Sequence, residues 1–136
     1  MRQTARQFVT ARIRSEIDGL ARFGIVGVIA TIVYYVAGQG FATADFEPIR
    51  ANLFAYLAGT SISFLGHFTY TFRKRDQILR HLTRFIVVSA GGYLLSHATI
   101  WLGAYLIGLP FWIASMIVVV VVASSSWAAN RFWAFA

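Results

Sequence analysis

Three stretches of this chain carry no Asp, Glu, Lys or Arg: residues 23–44, 51–72 and 85–130. Charge-free runs of that length limit what the chain can fold into more than any short motif does. An α-helix rises about 1.5 Å per residue and a hydrocarbon core is about 30 Å thick, so roughly 20 residues cross it. The first two runs each fit one crossing. The third is long enough for two, and Gly108-Leu109-Pro110 supplies the turn between them, because Gly tolerates turn dihedrals and Pro cannot continue a helix. Backbone groups in lipid must be satisfied internally, which leaves helices or a closed barrel. Continuous apolar runs lack the strict alternation of barrel strands. The sequence therefore predicts an all-α membrane protein with four transmembrane helices, at about 23–43, 51–72, 85–106 and 111–130, within a transmembrane domain of residues 22–136.

Composition points the same way. The chain is 58% hydrophobic and 12% charged, against about 25% charged in soluble domains. It contains no cysteine, which excludes disulfides, thiolate chemistry and Cys-based metal sites. A net charge of +7 would suit nucleic acid, but the basic residues sit beside the spans. Topology and contact with anionic lipid account for them, and no nucleic acid is expected.

Residues 1–21 hold Arg2, Arg6, Arg12 and Arg14, with Val9, Ile13, Ile17 and Leu20 at helical spacing. This pattern predicts an amphipathic interfacial helix on the cytoplasmic leaflet. No small-residue cleavage site follows the apolar stretch, which argues against a signal peptide, and the acids Glu16 and Asp18 with the direct run into a span argue against an organellar presequence. The loop after the second span is the most basic, with Arg73, Lys74, Arg75, Arg80 and Arg84, and Arg131 follows the fourth. The opposite side has only Arg50, so the positive-inside rule places both termini in the cytoplasm.

The spans also look duplicated. Arg22-Phe23 opens the first and Arg84-Phe85 the third, 62 residues apart, while His67 to Phe72 and Asn130 to Phe135 close the second and fourth, 63 apart. Two parallel-repeated hairpins are expected, and repeat interfaces are where transporters place their sites. Small residues Gly24, Gly27 and Ala30 are expected to admit a neighbouring helix, as are Ala55, Gly59 and Ser63, with His67 one turn further on that face. Gly91-Gly92 is expected to loosen the third span around Ser96 and His97. His97 reads as structural; for His67 a packing role and a ligand contact both stand.

These residues carry a family resemblance. Arg22-Phe23 with Val26-Gly27, then Phe64, His67 and Thr71-Phe72-Arg73, then Asn130-Arg131-Phe132 with Phe135, resemble the ordered motifs of the GtrA-like family of small four-span membrane proteins. The resemblance covers about residue 20 to the end. Members usually carry Asn where this chain has His67 and a basic residue where it has Phe68, whereas Asn130-Arg131 keeps the family form. The resemblance implies a non-enzymatic role in cell-surface polysaccharide or glycolipid synthesis, in a bacterial inner (plasma) membrane. It implies facilitated translocation, or flipping, of a polyprenyl-phosphate-linked sugar.

A guanidinium forks onto phosphate with two parallel hydrogen bonds. Arg22, Arg73, Arg84 and Arg131 stand at the four cytoplasmic span ends, so they are candidate ligands of a lipid phosphate, with Asn130 and His67 beside them. Plain topogenesis also explains each Arg taken singly. Phe68, Tyr70, Phe72, Trp127, Trp133 and Phe135 read as an interfacial aromatic belt. No carboxylate pair, nucleophile–base set or metal cluster lies in the spans, so no catalytic residue, cofactor or metal is expected. A second reading is an anchor that recruits a membrane glycosyltransferase through residues 1–21 and the 73–84 loop. A multidrug exporter ranks lower, because no intramembrane acid is present to couple protons. Four helices enclose little space alone, and a homo-oligomer fits the chain.

Overall fold

In a computed structural model, the described residues are 2–71, 78–129 and 133. Four helices account for nearly all of them. The first, α1, runs Arg2–Thr43; α2 runs Pro48–Gly66 and widens into π-helical turns over His67–Thr71. The third, α3, runs Ile78–Ile100 and continues as a π-helical stretch Trp101–Leu106, and α4 runs Phe111–Ala129. The predicted span ends at 43, 106 and 111 are all element ends. Residues 2–21 and the first span form one helix of 42 residues, with Phe8, Val9, Ile13 and Ile17 exposed along its first half.

Local chemistry sets the boundaries at what is here called the turn end of the bundle. Asp45 breaks α1 by taking a φ of 61°, a left-handed conformation its short polar side chain tolerates. Pro48 then starts α2 where a missing N–H costs nothing. Gly108 turns the chain between α3 and α4 with a φ of 79°, as the Gly-Leu-Pro sequence predicts. Phe41, Phe46 and Phe54 pack as a ring trio around the first turn, with centroids 5.3–5.9 Å apart.

The outer faces fit lipid rather than water. Ile25, Ile29, Val36, Leu57, Leu94, Met116 and Val120 all stand exposed. By length and apolar composition, three helices can cross a membrane on their own: Gln3–Thr43, Leu82–Leu106 and Phe111–Ala129. α2 lies against α1 along the most extensive of the helix contacts. It buries Ala51, Asn52, Ala55 and Gly59, so the Asn52 amide is shielded by the other helices. α3 and α4 form the second hairpin.

Two glycines explain why the first hairpin closes so tightly. A Cβ on Gly59 would stand 3.0 Å from the Ala30 carbonyl, and one on Gly66 would stand 2.7 Å from Val26. The small-residue face of α2 therefore does what its spacing predicts. Gly24 and Gly27 do not. Nothing lies within 4 Å of a Cβ built on either, so they admit no neighbouring helix and instead leave space. The expected loosening at Gly91-Gly92 is also corrected. Gly91 faces outward, while Gly92 is buried against the Tyr56 hydroxyl, which passes over it to donate to the Ser89 carbonyl at 2.8 Å.

Polar side chains fasten the turn end. Tyr34 of α1 and Ser96 of α3 both donate to the Asn52 side-chain oxygen of α2, at 2.6 and 2.9 Å. Gln39 of α1 donates to Ser115 of α4 at 3.0 Å. In hydrocarbon such bonds have no competing water, and each ties two helices together. Tyr34 and Asn52 belong to the first hairpin and Ser96 to the second, so both hairpins contribute to one hub. Around it Tyr34, Ala55, Ile100, Ala114 and Val118 form the buried apolar cluster.

Candidate functional site

The space left by Gly24 and Gly27 is part of a cavity of about 540 Å³ lined by all four helices. Ligand sites of small molecules commonly measure about 300–1,000 Å³. Along α1 the wall runs from Phe23 to Tyr34, about 17 Å at 1.5 Å per residue. That is roughly half the thickness of a hydrocarbon core. Tyr34 and Val118 belong both to the cavity wall and to the buried cluster, so the core closes the cavity at the turn end. At the other end, which is the basic one, the wall holds His67, Arg84 and Trp127.

One side of the cavity reaches the outer surface. Val28 and Ile32 of α1 are 60% and 56% exposed, and Trp127 of α4 is 54% exposed, yet all three line the cavity. α1 touches α4 far less than it touches α2. A lipid chain beside Val28 and Ile32 would therefore be continuous with the interior space.

Of the residues predicted from the sequence, the structure brings His67 and Arg84 to this cavity. His67 is only 6% exposed. Its ring stacks on Phe23, with centroids 4.7 Å apart and planes 23° apart, and the Phe85 ring lies 6.4 Å away. Phe23 of α1 and Phe85 of α3 thus flank the imidazole at the end of α2. Packing accounts for its burial. His67 stands where α2 changes from α- to π-helical winding, a local irregularity that often accompanies a functional site. Arg84 is half-buried, and its guanidinium carbon lies 5.9 Å from the centre of the Trp133 ring, within cation–π range. Arg22 is half-buried next to Phe23 but is not on the cavity wall. Arg73, Asn130 and Arg131 lie outside the described residues.

His97 sits beside Tyr93, with ring centroids 6.0 Å apart, away from the cavity. Phe68, Trp127 and Trp133 are exposed, as an interfacial belt requires. Sequence reasoning missed Tyr34, Tyr56 and Thr31, which form the deeper wall. The available signal was hydroxyl-bearing residues inside otherwise apolar spans.

No curated protein and no solved structure matches the chain. A family model described as the GtrA/DPMS transmembrane domain matches residues 22–135, which takes in every residue of the cavity wall. The chain therefore belongs to the GtrA/DPMS transmembrane-domain family, generally non-catalytic integral membrane proteins of glycosyl-carrier and polysaccharide-related processes.

Proposed function

We propose that this protein carries a polyprenyl-phosphate-linked sugar from one leaflet to the other, in a bacterial inner membrane with both termini cytoplasmic. The observation that supports this is the half-depth cavity, open to lipid beside α1, with a guanidinium at its basic end. A sugar head crosses hydrocarbon slowly because each unpaired hydroxyl costs several kcal/mol to dehydrate. A walled, partly polar space removes much of that cost while the prenyl chain stays in the bilayer past Val28 and Ile32. Arg84 offers the forked donor pair that suits a lipid phosphate. With the turn end closed by the Asn52 hub and the apolar cluster, the cavity corresponds to a cytoplasm-facing state. Completing the transfer requires that end to part. No Asp or Glu lies in the spans to couple protons, so net direction follows consumption of the lipid on the far side.

The test is leaflet exposure of a polyprenyl-phosphate hexose in liposomes containing the purified protein. Acceleration over empty vesicles is expected, and an unchanged rate removes the transport role. The exposed stripe Phe8, Val9, Ile13 and Ile17 supports a second reading, an anchor for a membrane glycosyltransferase. In that case deletion of residues 1–21 abolishes glycolipid production in cells while an Arg84→Gln change leaves it intact.

A further inference from the structure

Ser and Thr in a membrane helix usually satisfy their hydroxyls on the carbonyl three or four residues earlier, out of reach of other groups. Most of those in this chain do. Ser61 donates to the Leu57 carbonyl, Thr99 to that of Leu95, and Ser124 and Ser125 to those of Val120 and Val121, all at 2.7–2.8 Å. Among the serines and threonines whose side chains are described, four have no hydrogen bond from their hydroxyl within the protein: Thr31, Ser63, Ser89 and Ser126. All four line the cavity, and each comes from a different helix. The contrast is sharpest on α4, where Ser125 turns back to its own backbone and Ser126, the next residue, does not. Ser63 and Ser126 are also 63 residues apart, at matching places of the two repeats. The other cavity threonine, Thr60, is not among them, since its hydroxyl pairs with that of Tyr56.

The placement of these groups suggests what they meet. Hydroxyls donate and accept, as the hydroxyls of a sugar do, whereas a phosphate offers only acceptors and is better served by a guanidinium. Ser89 lies five residues along α3 from Arg84, about 7 Å deeper at helical rise. That offset suits a phosphate at Arg84 with its attached ring lying further in. We infer that Thr31, Ser63, Ser89 and Ser126 form a subsite for a neutral polyol, the sugar head itself. The protein then discriminates the sugar-bearing lipid from the bare polyprenyl phosphate. This inference rests on the carrier reading for the identity of the ligand.

Binding to the purified protein in detergent tests it, read by quenching of Trp127 fluorescence, with Trp127→Phe as the signal control. The probes are polyprenyl phosphate and its glucose, galactose and mannose derivatives of the same chain length. Each hydroxyl contact contributes about a two- to tenfold factor in affinity. The wild type is expected to bind at least one sugar derivative about tenfold or more tightly than the bare phosphate. The quadruple variant Thr31→Val, Ser63→Ala, Ser89→Ala, Ser126→Ala is expected to lose that preference and to bind bare polyprenyl phosphate as before. These hydroxyls make no bond in the protein, so its melting temperature should match the wild type. Should it melt lower, the four single variants give the answer, each with about a two- to tenfold loss of preference. Equal binding of all four probes by the wild type, no binding of any probe, or a preference retained by the variants overturns the inference. Transport and selectivity separate cleanly. Selective binding without accelerated leaflet exposure refutes the carrier role alone, and accelerated exposure without sugar preference refutes the subsite alone.

Discussion

Replacing Gly92 with Ala measures how tightly α2 and α3 are joined. A Cβ at this position would stand 2.5 Å from the Tyr56 hydroxyl oxygen. That hydroxyl makes the 2.8 Å bond to the Ser89 carbonyl. Three terms decide the outcome. Ala gains up to about 1 kcal/mol in helix propensity over Gly. Displacing Tyr56 forfeits a hydrogen bond of about 1 kcal/mol. Crowding a packed interface costs about 1–3 kcal/mol. The variant should therefore be about 1–3 kcal/mol less stable. In a Tyr56→Phe background both the intruding atom and the bond are gone, so the same Gly92→Ala change should be neutral or stabilising by up to about 1 kcal/mol. Denaturation in mixed micelles, followed by circular dichroism on the four proteins of this cycle, gives the coupling directly. An equal effect of Gly92→Ala in both backgrounds would refute the claim that Tyr56 occupies the space glycine leaves.

Three further outcomes follow from the same geometry. Asn52 accepts from both Tyr34 and Ser96, so Asn52→Ala should cost more than Tyr34→Phe or Ser96→Ala. The single-hydroxyl changes should each cost about 1 kcal/mol and the Asn52 change about 2–5 kcal/mol in the same denaturation assay. Gly24→Ala meets open space and should raise stability slightly, whereas Gly66→Ala meets Val26 and should lower it, a difference of sign visible in melting temperatures. Arg84→Gln should weaken binding of bare polyprenyl phosphate by about tenfold or more, as loss of a charge-assisted bond requires, while leaving the preference among sugars unchanged.

Much of the fold was legible because membrane thickness acts on sequence through simple counting. The charge-free run 23–44 stops one residue past the end of α1, and Gly108-Leu109-Pro110 marks the turn between α3 and α4. The helices, by contrast, begin earlier than the runs do, at Arg2, Pro48 and Ile78. The small face of α2 was legible for the same reason, since Ala55 and Gly59 recur at one helical period. Gly24 and Gly27 show where that logic stops. A small residue either lets a neighbour in or leaves a void, and spacing alone does not distinguish the two. The void is seen only once Gly59 has brought α2 against Ala30 and Tyr34 higher up α1. Arg84 and His67 were found from their repeat positions, but the deeper wall was not. The hub on Asn52 was hidden because an Asn just inside a helix start resembles an interfacial residue, and only packing puts it beside Tyr34 and Ser96. The four unpaired hydroxyls were invisible for a related reason. Ser125 and Ser126 are alike in sequence, and only the helix's rotation gives one to its own backbone and the other to the cavity.

The central claim is that the cavity is the route of the lipid head group, and filling it is the most direct test. Gly27 lies on its wall with nothing within 4 Å of an added Cβ, so Gly27→Leu starts a bulky side chain into open cavity space. Leaflet exposure of a polyprenyl-phosphate hexose should be measured in liposomes holding equal amounts of wild-type and Gly27→Leu protein of matching melting temperature. The account predicts acceleration by the wild type and a rate near that of empty vesicles for the variant. Undiminished transfer by a folded Gly27→Leu protein would contradict it.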